Sequence, residues 1–391
     1  MEEKKSPNQR FVENNKDEIL DVAEPALGIV DNTNLKKFID SFDTTEKEIR
    51  QFVVDFIDVA VEDEELRTKL LQHFKSFELK KWSASEEKPS LLGAVGSERD
   101  KDGHVKRISR WSYIGQKKPL GFGRVKTDLS VVRCIIHELF HSISSKHDID
   151  KIKKFEQVVD QIKLEDRDKK EKRALPSFEI DMSVGETESI FSEMLFNHVL
   201  ETRLDELKHD GKPLFGISDE GIQHRVEELK ADDLREFIGK SNESINENGQ
   251  RDNNYWFRYV RGCVLATLIE KKYKENPSST MNNFKTFLAN GHTMSPEDVS
   301  RLFYTGSMQL VENDNLAYYD MAKEDFKQIL AEKFSGYNIG PQVEPIRASA
   351  LREKIAQKRT DSEQIKNNEQ IKASTHDVSE SFEELEGQKL Q

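Results

Sequence analysis

The stretch TDLSVVRCIIHELFHSISS, residues 127–145, decides how the rest of the chain is read. Asp128 is an N-cap candidate ahead of a helix. Val131, Val132, Cys134, Ile135, Ile136, Leu139, Phe140 and Ile143 make that helix apolar on most sides, so it must be buried. Within it lies His137-Glu138-Leu139-Phe140-His141, an HExxH motif. Residues four apart on a helix share a face, about 6 Å from one another. Two imidazoles so placed reach one Zn²⁺ at about 2.0–2.1 Å. Glu138, next to the first imidazole, is positioned to take a proton from a zinc-bound water. With ten histidines in 391 residues, random placement would give about 0.03 such motifs per chain. Left without partners, two buried histidines and a glutamate would be costly to desolvate. The residues therefore predict one zinc ion per chain, with His137 and His141 as ligands and Glu138 as base.

A catalytic zinc site needs a third ligand, and an acidic one leaves the fourth position open. Downstream stands GETESIFSEML, residues 185–195, in a further helix expected over about 185–207. Glu186 and Glu193 are seven apart and share a face, with Ser189 between them. Glu186 is the favoured ligand, and Glu193 is the alternative.

Outward from these helices the texture changes. Residues 90–125 hold Gly93, Gly96, Gly103, Gly115, Gly121 and Gly123, and alternate through Val105, Ile108, Trp111 and Tyr113. Asp102-Gly103 is a hairpin signal, so a small β element is expected there. From Lys16 to Trp82 the spacing of Phe52, Val53, Phe56, Ile57 and then Leu66, Leu70, Leu71, Phe74 is helical, with a helix start at Asp43-Thr44-Thr45. The charged run 148–173 carries a sparse apolar stripe, Ile149, Ile152, Phe155, Val158, Val159 and Ile162, and reads as an amphipathic helix. An Asn-rich loop is expected at 242–254 and another strong helix from Tyr255 to about Lys274. The expected organisation is a flexible 1–16, an N-terminal helical region 17–85, a catalytic region 86–346 and a disordered tail 347–391.

The balance of 60 Lys+Arg against 73 Asp+Glu gives a net charge of −13, which argues against nucleic acid as the main partner. No window approaches the roughly 20 apolar residues of a membrane span, and no signal peptide is visible. Two cysteines, Cys134 and Cys263, exclude a disulfide scaffold and fit a cytoplasmic, reducing compartment. Cys134, three residues before His137, reads as an inert core thiol.

HELFH followed by ETESIFSEML resembles the M3 family of zinc oligopeptidases, most closely its oligoendopeptidase F branch. Glu186, Ser189, Phe191 and Glu193 stand where that family carries its Glu-x-x-Ser-x-Phe-x-Glu pattern, whose first member is its zinc ligand. The stretch YWFRYVRG, residues 255–262, is similar to the Tyr-x-x-x-Tyr-x-x-Gly segment that supplies the family's transition-state tyrosines; the resemblance implies that role for Tyr255 and Tyr259. It covers about residues 115–335. There are departures: Phe140 stands where the family usually has Gly, 44 residues separate His141 from Glu186, SINENGQRDNN lacks the family's active-site His, and much of the family's N-terminal helical region is missing.

Together these features predict a mainly α, zincin-type metallopeptidase with a small β element at about 90–125. It would be a gluzincin that hydrolyses peptide bonds in a peptide or protein substrate, with no nucleic acid partner and no membrane span. Two alternatives stay open. One is a translocated effector protease acting on a single host protein, suggested by the Glu-rich end SESFEELEGQKLQ. The other is an inactive, peptidase-like binding protein.

Overall fold

A computed structural model of the chain describes residues 41–101, 104–118, 123–144, 147–165, 184–243, 255–291, 294–309 and 317–336. The expected flexible start at 1–16, the tail at 347–391, the Asp102-Gly103 turn and most of the loop at 242–254 lie outside these residues. The described chain is mainly helical, with one small mixed sheet.

Strand β1 (Phe42–Thr45) leads into α1 (Glu46–Ala60), and α2 (Glu64–Lys75) leads to β2 (Glu78–Trp82). Thr45 starts α1 by a reciprocal cap. Its hydroxyl accepts from the Glu48 amide, and its own amide donates to the Glu48 carboxylate, which satisfies two otherwise orphaned amides. Then come β3 (Gly93–Arg99), β4 (Val105–Lys117) and β5 (Arg124–Thr127). β4 is the spine: β3 and β5 pair with it antiparallel and β2 parallel, while β1 pairs with β5. Both β2 and β3 meet Trp111 and Ser112, so they take opposite edges of β4. The sheet is thus wider than the expected 90–125 element, and the region read as helical over 17–85 contributes two of its strands. The helical range expected to reach Trp82 ends earlier, because pairing with residues some 30 positions away fixes Glu78–Trp82 as β.

The remaining helices are α3 (Leu129–Ile143), α4 (Ile149–Glu165), α5 (Thr187–Thr202), α6 (Asp219–Glu243), α7 (Tyr255–Glu275), α8 (Pro277–Asn290), α9 (Pro296–Thr305) and α10 (Tyr318–Gly336). Asp128 caps α3 as expected, accepting from the Val131 amide at 3.0 Å. One hydrophobic cluster runs from Phe42 to Leu330, so the expected boundary at 85/86 passes through a shared core. Phe52 and Phe56 of α1 pack on Phe196 of α5, and Phe140 and Phe191 both pack on Phe284 of α8. Phe140 is fully buried and turns its bulk towards α8.

Helix α4 is bound differently. Only Ile152 of its expected apolar stripe is buried, joining Val105 and Ile108 in a satellite cluster, and Val158 is 52% exposed. A single buried turn docks it on the β3–β4 hairpin. No helix among the described residues is long and apolar enough to cross a membrane.

Candidate metal centre

Helix α3 places Arg133, His137 and His141 one turn apart on one face. The two imidazoles stand edge to face, with ring centroids 4.8 Å apart. Glu186, at the N-terminal end of α5, faces both. Its Oε2 lies 3.2 Å from His141 Nε2 and 3.9 Å from His137 Nε2. One ligand atom from each of the three residues falls within 4.8 Å of the others. Neighbouring ligands of a tetrahedral zinc sit about 3.3 Å apart, so separations of up to 4.8 Å need to close by about 1.5 Å at most to hold one ion.

The other nitrogen of each ring is also held. His137 Nδ1 lies 2.6 Å from Glu193 Oε1, and His141 Nδ1 lies 3.1 Å from Glu188 Oε1. A carboxylate on Nδ1 keeps the proton there and leaves the Nε2 lone pair directed at a metal. Glu188 is buried and was missed from the sequence, where a Glu two residues after Glu186 reads as a solvated acid. In the structure Thr187, Ser189, Ile190, Phe191 and Ser192 surround it with buried positions, and a buried carboxylate needs a partner.

Glu193 in turn touches Arg133, whose Nη2 is 3.8 Å from its Oε2. Arg133 forks onto Asp233 of α6 at 2.7 and 2.8 Å. Burial alone would raise the Glu193 carboxyl, yet the charge on Arg133 and the His137 hydrogen bond hold it below the usual carboxylate range. Burial and the charge of Glu193 push Asp233 up to about 6 against the pull of Arg133. At His137 burial disfavours the charged ring, but the hydrogen bond to Glu193 and the charges of Glu193, Glu138 and Glu186 outweigh it and raise the imidazole to about 9. Five carboxylates (Glu138, Glu186, Glu188, Glu193 and Asp233) around two imidazoles and one guanidinium leave a surplus of negative charge. Without a cation, His137 meets that surplus by holding a proton. The donor set is therefore chemically suited to a divalent ion.

Glu138 is 9% exposed. Among the described residues no hydrogen bond or ion pair ends on it, so its carboxylate is available to a water or substrate proton. Strand β3 begins directly against it: a Cβ on Gly93 would stand 2.6 Å from Glu138 Cγ, so only glycine admits this approach. Cys134, 4.0 Å from Ser112 Oγ, has its thiol pushed up to about 12 by burial and by the charges of Glu138 and Glu193. It is protonated at neutral pH, as expected of an inert thiol, but it is half-buried at the edge of the core.

Each member of the 186–193 pattern has a place. Ser189 donates to the Glu186 carbonyl at 3.0 Å and lies 3.4 Å from its Oε2, which steadies that side chain. Phe191 packs in the core on Phe284 and Tyr273. Gly262 of α7 is what lets that helix reach Glu186, since a Cβ there would meet Glu186 Cβ at 3.0 Å and Ile190 Cδ1 at 2.9 Å. Tyr259 is placed beside Cys263, Glu236, Glu193 and Asp233, its phenol held well above the usual range first by burial and then by those neighbours. It lines a cavity with Glu193, Asp233 and Lys230. The Tyr255 side chain lies outside the described residues. The structure thus brings together His137, Glu138, His141, Glu186 and Glu193, and adds Glu188, Arg133, Asp233 and Gly93, which sequence reading passed over.

Comparison of the chain with protein-family models, with curated proteins and with solved structures finds no match.

Proposed function

We propose that this chain is a zinc-dependent metallopeptidase of the gluzincin type, with His137, His141 and Glu186 as metal ligands and Glu138 as general base. The observation that carries the reading is the orientation of the two histidines. Both turn Nε2 towards Glu186 while a separate carboxylate holds each Nδ1. Two core histidines with a merely structural role would need no such convergence. The resemblance to the M3 oligopeptidases supports the same ligand set.

When bound, zinc supplies a Lewis acid that lowers the pKa of a coordinated water to about 7 and polarises a carbonyl. The protein side of the chemistry belongs to Glu138. Its unpaired carboxylate takes a proton from the attacking water and delivers it to the leaving amine nitrogen as the C–N bond breaks. Among the described residues β3 pairs with β4 alone, so an extended peptide can add along its open edge by main-chain hydrogen bonds. Gly93 would bring that peptide's backbone next to Glu138. The resemblance assigns Tyr255 and Tyr259 to the developing oxyanion. Of the two, Tyr259 lies beside Glu193 and Asp233, and a neutral hydroxyl needs no ionisation to donate.

Glu138→Gln tests the reading. The amide is nearly isosteric but cannot accept the proton. The variant is expected to keep wild-type zinc content and melting temperature and to lose peptide hydrolysis by two orders of magnitude or more. Wild-type turnover on a proteome-derived peptide library would remove Glu138 from this role and with it the hydrolase reading. Cleavage confined to one protein in a host lysate would select the effector alternative. A wild type that purifies without stoichiometric zinc and cleaves nothing would select the binding-protein alternative.

A further inference from the structure

The ion pair between Arg133 and Asp233 lies one step behind the metal centre, and its placement is unusual for a structural tie. Arg133 sits one turn before His137 on the same face of α3, and it is buried. Among the described residues it pairs with Asp233 and Glu193 alone. The fork to Asp233 is bidentate, at 2.7 and 2.8 Å, which fixes the plane of the guanidinium. That plane directs Nη2 towards Glu193 Oε2 at 3.8 Å, while the other Glu193 oxygen is 2.6 Å from His137 Nδ1. The groups form a chain from α6 through α3 to α5 and back to α3: Asp233, Arg133, Glu193, His137. No other cation among the described residues pairs with Glu193.

We propose that Arg133, anchored by Asp233, is a positioning residue that holds Glu193 on His137 Nδ1 and so aims His137 Nε2 at the metal. This rests on the zinc reading of the site and deepens it. Left to itself, Glu193 would meet repulsion from Glu186, its neighbour on the same helix face, and would swing towards solvent at its exposed edge. Arg133 offsets that repulsion from the opposite side. The bond to Asp233 matters because a lone guanidinium next to Glu193 could turn to meet it monodentately and pull it off the imidazole. Helix α6 thereby acquires a say in the geometry of a centre to which it contributes no ligand. His141 is held differently, by the buried Glu188, so a fault in the chain should disturb one imidazole and spare the other.

The test uses the full-length protein, with zinc affinity by chelator competition, the visible spectrum of the cobalt-substituted form, and the melting temperature of the metal-free form measured separately. Arg133→Met is expected to weaken zinc 10–100-fold, the range seen when a group behind a ligand is lost, and to shift the cobalt bands as Glu193→Gln does. If Arg133 acts through Glu193, the double variant loses no more affinity than Glu193→Gln alone. Arg133→Lys should recover part of the affinity, because an ammonium keeps the charge but not the fork. Asp233→Asn, at the more exposed end of the chain, should weaken zinc several-fold, and it decides the matter should Arg133→Met fail to fold. Unchanged affinity and cobalt bands in folded Arg133→Met or Asp233→Asn, with only the melting temperature lowered, would reduce the pair to a structural tie and overturn the proposal. Additive losses in the double variant would overturn it as well. Failure of the wild type to bind zinc or cobalt would instead overturn the metal reading itself, a result distinguishable from either of these.

Discussion

Helices α4 and α5 both carry acid, yet they place it in opposite surroundings. In α4, Asp160 stands 41% exposed beside Lys163 and His104. Glu156 accepts from the Val105 amide and pairs with Arg99, tying the helix to the hairpin. In α5 the positions from Thr187 to Ser192 are all buried, and the acids of that segment and its flanks, Glu186, Glu188 and Glu193, each meet an imidazole. An acid on a half-solvated helix reports little, because water will always serve as its partner. An acid on a helix buried all round must be answered by a specific group, and here that group is a histidine on α3 in every case. The contrast places the candidate metal centre between α3 and α5 and leaves α4 docked on the β3–β4 pair.

The contrast breaks most visibly at Glu186. Glu186→Ala should empty the site at ordinary zinc levels, because an anionic ligand has gone and only two imidazoles remain. Glu193→Ala or Glu188→Ala should each lower zinc affinity 10–100-fold, by freeing one ring to turn. Chelator titration of the three variants side by side checks the ranking. Should Glu193→Ala strip the metal and Glu186→Ala keep it, the ligand assignment is off by seven residues.

A smaller effect concerns pH and the metal-free protein. His137 is raised to about 9 in the folded chain, against about 6.5 when unfolded. Its contribution is therefore fully present below pH 6.5 and is lost as pH rises through 9. Metal-free protein is expected to lose on the order of 1–3 kcal/mol across that interval, read from urea melts at pH 6 and pH 9.5. Glu193→Ala should flatten this dependence. A metal-free stability that rises with pH would contradict the charge balance described for the site.

How much of this was legible beforehand follows from distance along the chain. Asp128 as a cap, the burial of α3, the HExxH face and the Glu186 register could all be read locally, within one or two helical turns. Phe140 packs on Phe284, 144 residues on, a contact that no local window contains. β1 and β2 were missed for the same reason: their strand character comes from pairing with β5 and β4. Glu188 was within reach, since the question of what holds His141 Nδ1 can be asked of any zinc-binding histidine. Arg133 was visible as the one Arg or Lys in an apolar run, but its partner Asp233 lies 100 residues downstream and had no signal of its own.

The smallest expected effect comes from the other side of the contrast. Glu156→Ala in α4 should cost about 1 kcal/mol by freeing Arg99 and the Val105 amide, and zinc affinity should not change. A tenfold loss of zinc in this variant would show that α4 bears on the centre.

The most direct test of the central claim is the metal content of the purified full-length chain, with His137→Ala and His141→Ala beside it. The account predicts about one zinc per chain in the wild type and a large loss in each variant, with folding retained by circular dichroism. A wild type that holds no stoichiometric divalent metal, or variants that hold zinc as the wild type does, would contradict it.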